Sequence, residues 1–420
     1  MRILSLVFLF IVSLTTYGTS ISEIDNLFER TYPLLIEQPD SAMLYAEEAL
    51  ELSVDINYEW GIANSYYIQG YIYQNRGEYS AALLMFLKSS QILKYELDLK
   101  SQKTYERVLT YCGYILRQHS KYEEAIKYFN DALKIATSND LKNDQLMLIY
   151  NKSLVYRRMG DYENAIKNLL EVESLANQFD NNTQLISSWM AMGNVYYEMK
   201  VYNKARNYFY RILHSEQFAP LSSRTGAWKN LGMVYQSENK FDSAQFCYLN
   251  SIELMDGLES SSDLSRRKFE AFLAISELYL ENKMYDQGQI FAEKAEKYYS
   301  QVDRTPEHFK VFKLLSDIRY KQNESNISYQ HMSKYYEENT KYQEHQEEVM
   351  RLRDKFKIDI LLAGFYSEVD KENSTSMYQM IIGFLIIGIV LWVGVSRFRV
   401  NVVRKELERE IHRINKDSLV

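Results

Sequence analysis

Apolar positions along this chain recur with the period of a helix, and the helices they predict recur in pairs. In the stretch Trp228-Lys229-Asn230-Leu231-Gly232-Met233-Val234-Tyr235, the residues Trp228, Leu231, Gly232 and Tyr235 fall at i, i+3, i+4 and i+7 on one helical face. Ala244, Tyr248 and Ser251 repeat that spacing and predict a second helix. Small residues at Gly232 and Ala244 let the two backbones approach where a larger side chain would overpack, at a cost of about 1–3 kcal/mol. A hairpin of this kind buries only one of its faces and so requires neighbours.

The neighbours are legible. A small packing residue returns at Ala42, Ala82, Ala125, Ala165, Ala205, Ala244 and Gly288, every 39 to 44 residues. Around these points Gly70, Tyr73, Gly77, Tyr79 and Phe86 form one unit, and Gly113, Tyr122, Phe129 and Ala132 the next. Tyr156, Gly160, Tyr162 and Leu169 make a third; Trp189, Gly193, Tyr196, Tyr202 and Phe209 a fourth. A weaker unit holds Ser276, Tyr279 and Tyr285, with Ala292 in place of the aromatic, and a last degenerate hairpin is expected from Glu307 to about Tyr336. At the start, Asp40 to Leu52 supplies a second helix, for which Ile21 to Ile36 offers the first. Polar joints such as Ser138-Asn139-Asp140, Asp180-Asn181-Asn182 and Ser260-Ser261-Ser262 predict the turns.

The Trp228-x2-Leu231-Gly232-x2-Tyr235 and Ala244-x3-Tyr248 spacing resembles the tetratricopeptide (TPR) pattern, with Tyr for the final Phe and a beat longer than that family's minimal 34 residues. The resemblance implies an all-α fold over residues 21–336, a TPR-like right-handed α-solenoid of hairpins whose first helices line a concave groove.

Past the array the pattern changes. From Tyr329 to Glu372 it becomes a long charged helix, with residues 337–376 as a juxtamembrane helical stalk, and Tyr335, Tyr342, Val349 and Phe356 are spaced by seven, half of a coiled-coil seam. The companion positions Asn339, Gln346 and Arg353 are polar, and Gly364 is expected to kink or interrupt the helix. Met377 to Val395 carries no charge and is long enough to cross a bilayer of about 30 Å, so residues 377–396 are expected to form a single transmembrane helix. Arg397, Arg399, Arg404 and Lys405 follow it, opening a basic helical tail over 397–420. Residues 1–20 have the short positive end, apolar core and small residues of a secretory signal. Signal and positive-inside bias agree on a single-pass protein of the inner, cytoplasmic membrane, with its repeats in the periplasm and its tail in the cytoplasm. That order resembles bacterial membrane-anchored TPR sensor proteins, here without a cytoplasmic output domain.

Composition narrows the function. The chain has 420 residues, 46% of them apolar, and its 36 Tyr against 4 Pro favour uninterrupted aromatic-rich helices. A net charge of -7 argues against direct nucleic-acid binding, which needs a basic footprint. Cys112 and Cys247 fall at packing positions of different units and read as buried thiols. The six His never occur in a His-Glu-x-x-His arrangement, no phosphate-binding glycine loop or nucleophile elbow is present, and His331 and His345 sit in or beside the charged stalk, where exposure is expected. No catalytic residue, metal or cofactor is therefore expected.

The inward positions of the resembled family map here to Tyr67, Tyr71, Gln74, Arg107, Tyr114, Arg117, Tyr150, Arg157, Arg158, Asn194, Tyr197, Lys229 and Gln236. Arg107, Arg117, Arg157 and Arg158 would make a basic patch within an acidic protein, flanked by Tyr, and Arg and Tyr dominate recognition surfaces. The alternative is a wet groove whose arginines pair with neighbouring Glu. The expected function is a membrane-anchored extracytoplasmic receptor or scaffold that binds a protein or an acidic peptide, with a homodimer through the stalk as its allowed oligomer. The competing expectation is a signal transducer acting on transcription or a kinase through its cytoplasmic tail.

Overall fold

The computed structural model describes residues 20–371, apart from 257, 259, 260, 303 and 304, and beyond 355 it describes backbone alone. Every regular element among these residues is helical. Residues up to Asp354 form one compact unit and those from Lys355 another.

The first unit opens with α1 (Ile21–Thr31), a one-turn α2 (Leu34–Glu37) and α3 (Pro39–Asp55). Six hairpins follow: α4 (Glu59–Asn75) with α5 (Tyr79–Leu93), α6 (Leu99–Gln118) with α7 (Tyr122–Ser138), α8 (Lys142–Met159) with α9 (Tyr162–Gln178), α10 (Asn182–Glu198) with α11 (Tyr202–Leu213), α12 (Leu221–Ser237) with α13 (Phe241–Glu253), and α14 (Ser262–Glu281) with α15 (Tyr285–Tyr298). Then come α16 (Pro306–Lys321) and the long α17 (Ser325–Lys371). The extra length of each repeat lies mainly in the helices, since most connections within a hairpin are three residues.

Ten helices end the same way. Asn57, Gly77, Ser120, Asp140, Gly160, Asp180, Lys200, Asn239, Lys283 and Asn323 all have positive φ. The residue after each donates its N–H five residues back, as Asp161 does to the Tyr156 carbonyl at 2.9 Å. This closure satisfies carbonyls that a helix end would leave orphaned and reverses the chain within one turn. From Ser120 to Lys200 such a residue comes every 20 positions, which makes the 40-residue beat of a pair. Where a cap is needed at the other end, short polar side chains supply it: Ser261 Oγ accepts from the Leu264 N–H at 3.2 Å.

Inside four of the six hairpins a glycine faces an aromatic ring sixteen residues on. Gly70 lies against Phe86, Gly113 against Phe129, Gly193 against Phe209 and Gly232 against Tyr248. A Cβ on Gly113 would sit 2.6 Å from the Phe129 ring, so only glycine lets the first helix rest on the face of that ring. All four rings are fully buried. Tyr111 of α6 then stacks on Phe86 of the preceding hairpin at 5.2 Å, carrying the aromatic contact from one repeat to the next.

First helices of successive pairs touch one another, as α4 with α6, α8 with α10, α10 with α12, α12 with α14 and α14 with α16, while second helices pack more weakly on their counterparts. The first helices therefore line the inner face of the array. Cys112 and Cys247 are both buried and unpaired, and burial pushes the Cys247 thiol up to about 12.

Several expectations need correction. Trp228 is only partly buried, at the edge of its core and packed edge-on to Phe246 at 5.9 Å. The second helix of the last hairpin does not stop near Tyr336; it continues to Lys371 and passes Gly364 unbroken. The fold class loses its single transmembrane helix, because no helix among the described residues is long and apolar enough to cross a membrane. The longest of them, α17, is interrupted by charge at Lys334, Glu337, Lys341, Glu344, Glu347, Arg351 and Lys355, each costly to desolvate in hydrocarbon. The single-pass inner-membrane location with periplasmic repeats is overturned by the same finding. The stretch 377–396, the tail 397–420 and the signal region up to residue 19 lie outside the described residues.

Candidate binding cavity

Three of the four arginines of the expected basic patch meet. Arg117 ends α6, Arg157 and Arg158 end α8, and all three line a cavity of about 880 Å³. The turns after α4 and α6 form one side of it, the start of α16 another, and Glu338, Lys341, Tyr342, His345 and Gln346 of α17 the far wall. The heptad spacing of α17 explains how it comes to lie there. Tyr335 and Tyr342 pack edge-on to Phe309 of α16 at 5.7 and 6.1 Å, and Val349 is fully buried. The polar companions are used as well: Gln346 bonds to His119 Nδ1, and Arg353 Nη1 donates to Glu124 Oε1 at 2.8 Å.

Charge is unevenly compensated around the cavity. Arg117 is largely buried; it donates to Asn151 Oδ1 at 2.8 Å and lies over the Tyr114 ring at 5.3 Å. Burial lowers its pKa from the usual arginine value, and Arg158 and Arg157 lower it further. The side chain of Arg157 is 17% exposed, and its Nε stands 3.8 Å from Glu198, beyond hydrogen-bonding range. Arg158 is 56% exposed and meets Glu307 at the same distance. Of the two, only Arg158 is exposed. His119 is buried, and burial pushes it down to about 4, with His345 lowering it further against the bond from Gln346. His345 is half-buried beside Tyr79 at 5.8 Å, not exposed, and His331 is half-buried too.

The other expected groove residues are spread along the inner face. Arg107 lies apart from the cavity and is exposed. Tyr67 is buried against Phe86 and Tyr111, with burial pushing its phenol up to about 12, and Tyr71 sets its ring edge-on to Tyr111. Tyr150 packs into the cores of neighbouring repeats, and burial raises its pKa. The remaining polar groups join one first helix to the next. Asn151 donates to the Tyr114 hydroxyl at 2.9 Å, and Asn230 to Asn194 at 2.8 Å. Tyr197 bonds Ser237 at 3.1 Å, Lys229 pairs with Glu270 at 2.6 Å and Gln236 donates to Glu281 at 2.7 Å. Burial works against the charge on Glu270, but Lys229 and Arg266 outweigh it and hold the carboxyl down to about 2. Gln74 has a buried Oε1 with no hydrogen-bond partner among the described residues. Much of the inner face thus serves as a polar seam between repeats.

Sequence reasoning missed His119, Lys341 and the far wall as a whole. The one available signal was the polar companion set of the seven-residue spacing, Gln346 and Arg353, which fits a helix meeting a polar surface.

The repeats and their inner seam define a class. The chain carries tetratricopeptide repeats: one tetratricopeptide repeat profile matches residues 144–213, and a second matches 113–139 and 225–254. No curated protein matches the chain. Among solved structures it is similar to aspartyl phosphate phosphatase F from Bacillus subtilis, at 16% identity and a TM-score of 0.51, over 74% of this chain and 79% of that one. It is also similar to a tetratricopeptide repeat protein from Parabacteroides merdae, at 16% identity and a TM-score of 0.44, over 69% and 98%. The quorum sensor NprR from B. thuringiensis, at 14% identity and a TM-score of 0.43, matches over 75% and 97%. At these identities the likeness is one of fold.

Proposed function

We propose that this chain is a non-enzymatic interaction protein that captures an acidic peptide or protein segment on the inner face of its repeats. The observation that supports this most is the convergence of Arg117, Arg157 and Arg158 from two successive first helices at one open space. Guanidinium groups presented as a fork recognise carboxylates with directed bonds, and the partly exposed Tyr rings nearby supply rigid apolar area. Arg158, more than half exposed and held only loosely by Glu307, is the natural first contact.

The test is a peptide array probed with the full chain. Acidic peptides should be retained over neutral and basic ones, and Arg158→Glu, at the exposed position, should reduce that preference while leaving the thermal melt unchanged. Equal retention of acidic and basic peptides would reject the proposal.

A further inference from the structure

The cavity between α8 and α17 has the dimensions of a small-molecule site and the charge of an anion site. Its volume of about 880 Å³ falls within the range of about 300–1,000 Å³ that small ligands occupy. Arg117, Arg157, Arg158 and Lys341 face it with Glu307 and Glu338 as the lining carboxylates. Those carboxylates do not neutralise its deepest part. Among the described residues no carboxylate lies within ion-pair distance of Arg117, whose hydrogen-bond acceptor is the neutral Asn151. The Nε of Arg157 and the Nε2 atoms of His119 and His345 are buried with no hydrogen-bond partner among the described residues. Buried polar groups are costly when left unpaired, and the cationic side chains of Arg117, Arg157, Arg158 and Lys341 line one cavity.

We propose that this cavity binds a small ligand carrying two or more oxyanion groups, held by Arg117, Arg157 and Arg158 on the repeat side and by Lys341 and His345 on the α17 side. The shared chemistry is a compact oxyanion that a guanidinium fork can grip through two parallel bonds, whether phosphoryl or carboxylate. Because its contacts come from both walls, the ligand joins α17 to the repeats and steadies residues 338–354 of that helix. The ligand uses the same arginines as the peptide reading but fills the cavity without any macromolecular partner.

Isothermal titration of the full chain with inorganic pyrophosphate in one arm and citrate in the other separates the two sources. Saturable binding of at least one probe is expected, with the tighter one identifying the group. Arg158→Gln and Lys341→Gln, both at exposed positions, should each weaken it about ten-fold, the loss of one charged hydrogen bond. Ligand should slow hydrogen exchange over 338–354 in the parent and not in Lys341→Gln. Absence of saturable binding in both arms, or binding that both variants leave unchanged, overturns the inference. Retention of acidic peptides by a chain that binds neither probe would leave the peptide reading standing alone; probe binding without peptide preference would do the reverse.

Discussion

Arg353 donates to Glu124 across 229 residues of chain, Nη1 to Oε1 at 2.8 Å, and ties the last helix to the second full hairpin. Seven residues earlier on the same face, Gln346 reaches His119. The positions that depart from an apolar coiled-coil seam are the ones through which the chain binds itself, and up to Val349 the seam is spent within the molecule. With 10% and 36% side-chain exposure the Arg353–Glu124 pair is partly desolvated, and a double-mutant cycle should give a coupling of about 1–2 kcal/mol. Hydrogen exchange over 338–354 should quicken in Arg353→Ala and in Glu124→Ala by similar factors. Unchanged exchange in both would mean the bond does not hold the helix.

Gly193→Ala should destabilise, because its Cβ would overlap the Phe209 ring deep in a hairpin. Overpacking at about 1–3 kcal/mol is set against a gain of about 1 kcal/mol in helix propensity, for a net loss of up to about 2 kcal/mol. Phe209→Leu in the same chain should recover part of it. Gly226→Ala is the control: there the nearest atom is the flexible end of Met190 at 3.3 Å, and a small gain is expected. Urea unfolding midpoints report all three.

Trp189 and Trp228 should separate. Trp189 is 7% exposed, donates to Glu173 at 3.0 Å and carries Arg211 over its face at 4.2 Å. Trp189→Ala should cost about 3–5 kcal/mol, and Trp228→Ala, at the rim of its core, about 1–2 kcal/mol. Equal shifts in melting temperature would contradict the assignment of these rings to centre and rim.

Two buried groups pull the acid profile in opposite directions. His119 sits near 4 in the fold against an ordinary value of about 6.5, so between those values the unfolded chain binds more protons and stability falls as the pH drops. That contribution, up to about 3 kcal/mol, is lost below pH 4, and His119→Gln should remove it. Burial, aided by Asp144, pushes Glu106 up to about 7, so its contribution is present below about pH 4.5 and lost as the pH rises through 7. Glu106→Gln should therefore stabilise the chain at pH 8 and leave it little changed at pH 4.5. Unfolding curves at pH 4.5, 6 and 8 for parent and both variants check each sign.

Local spacing alone determined the repeat. A small residue every 40 positions, a glycine sixteen residues before an aromatic and a polar residue at each turn are demands of neighbouring helices on one another, so they are written within a few dozen residues of sequence. Arg117, Arg157 and Arg158 were named from the sequence for the same reason, since inward positions follow the repeat. The cavity itself was decided only by tertiary structure. Its far wall comes from a helix more than 200 residues downstream, and the curvature that brings α17 back to His119 and Glu124 accumulates from small inter-repeat rotations that no single stretch encodes. The exposure of Arg157, the burial of His345 and the partial exposure of Trp228 depend on which neighbour arrives, a matter of long-range packing that helical periodicity leaves open.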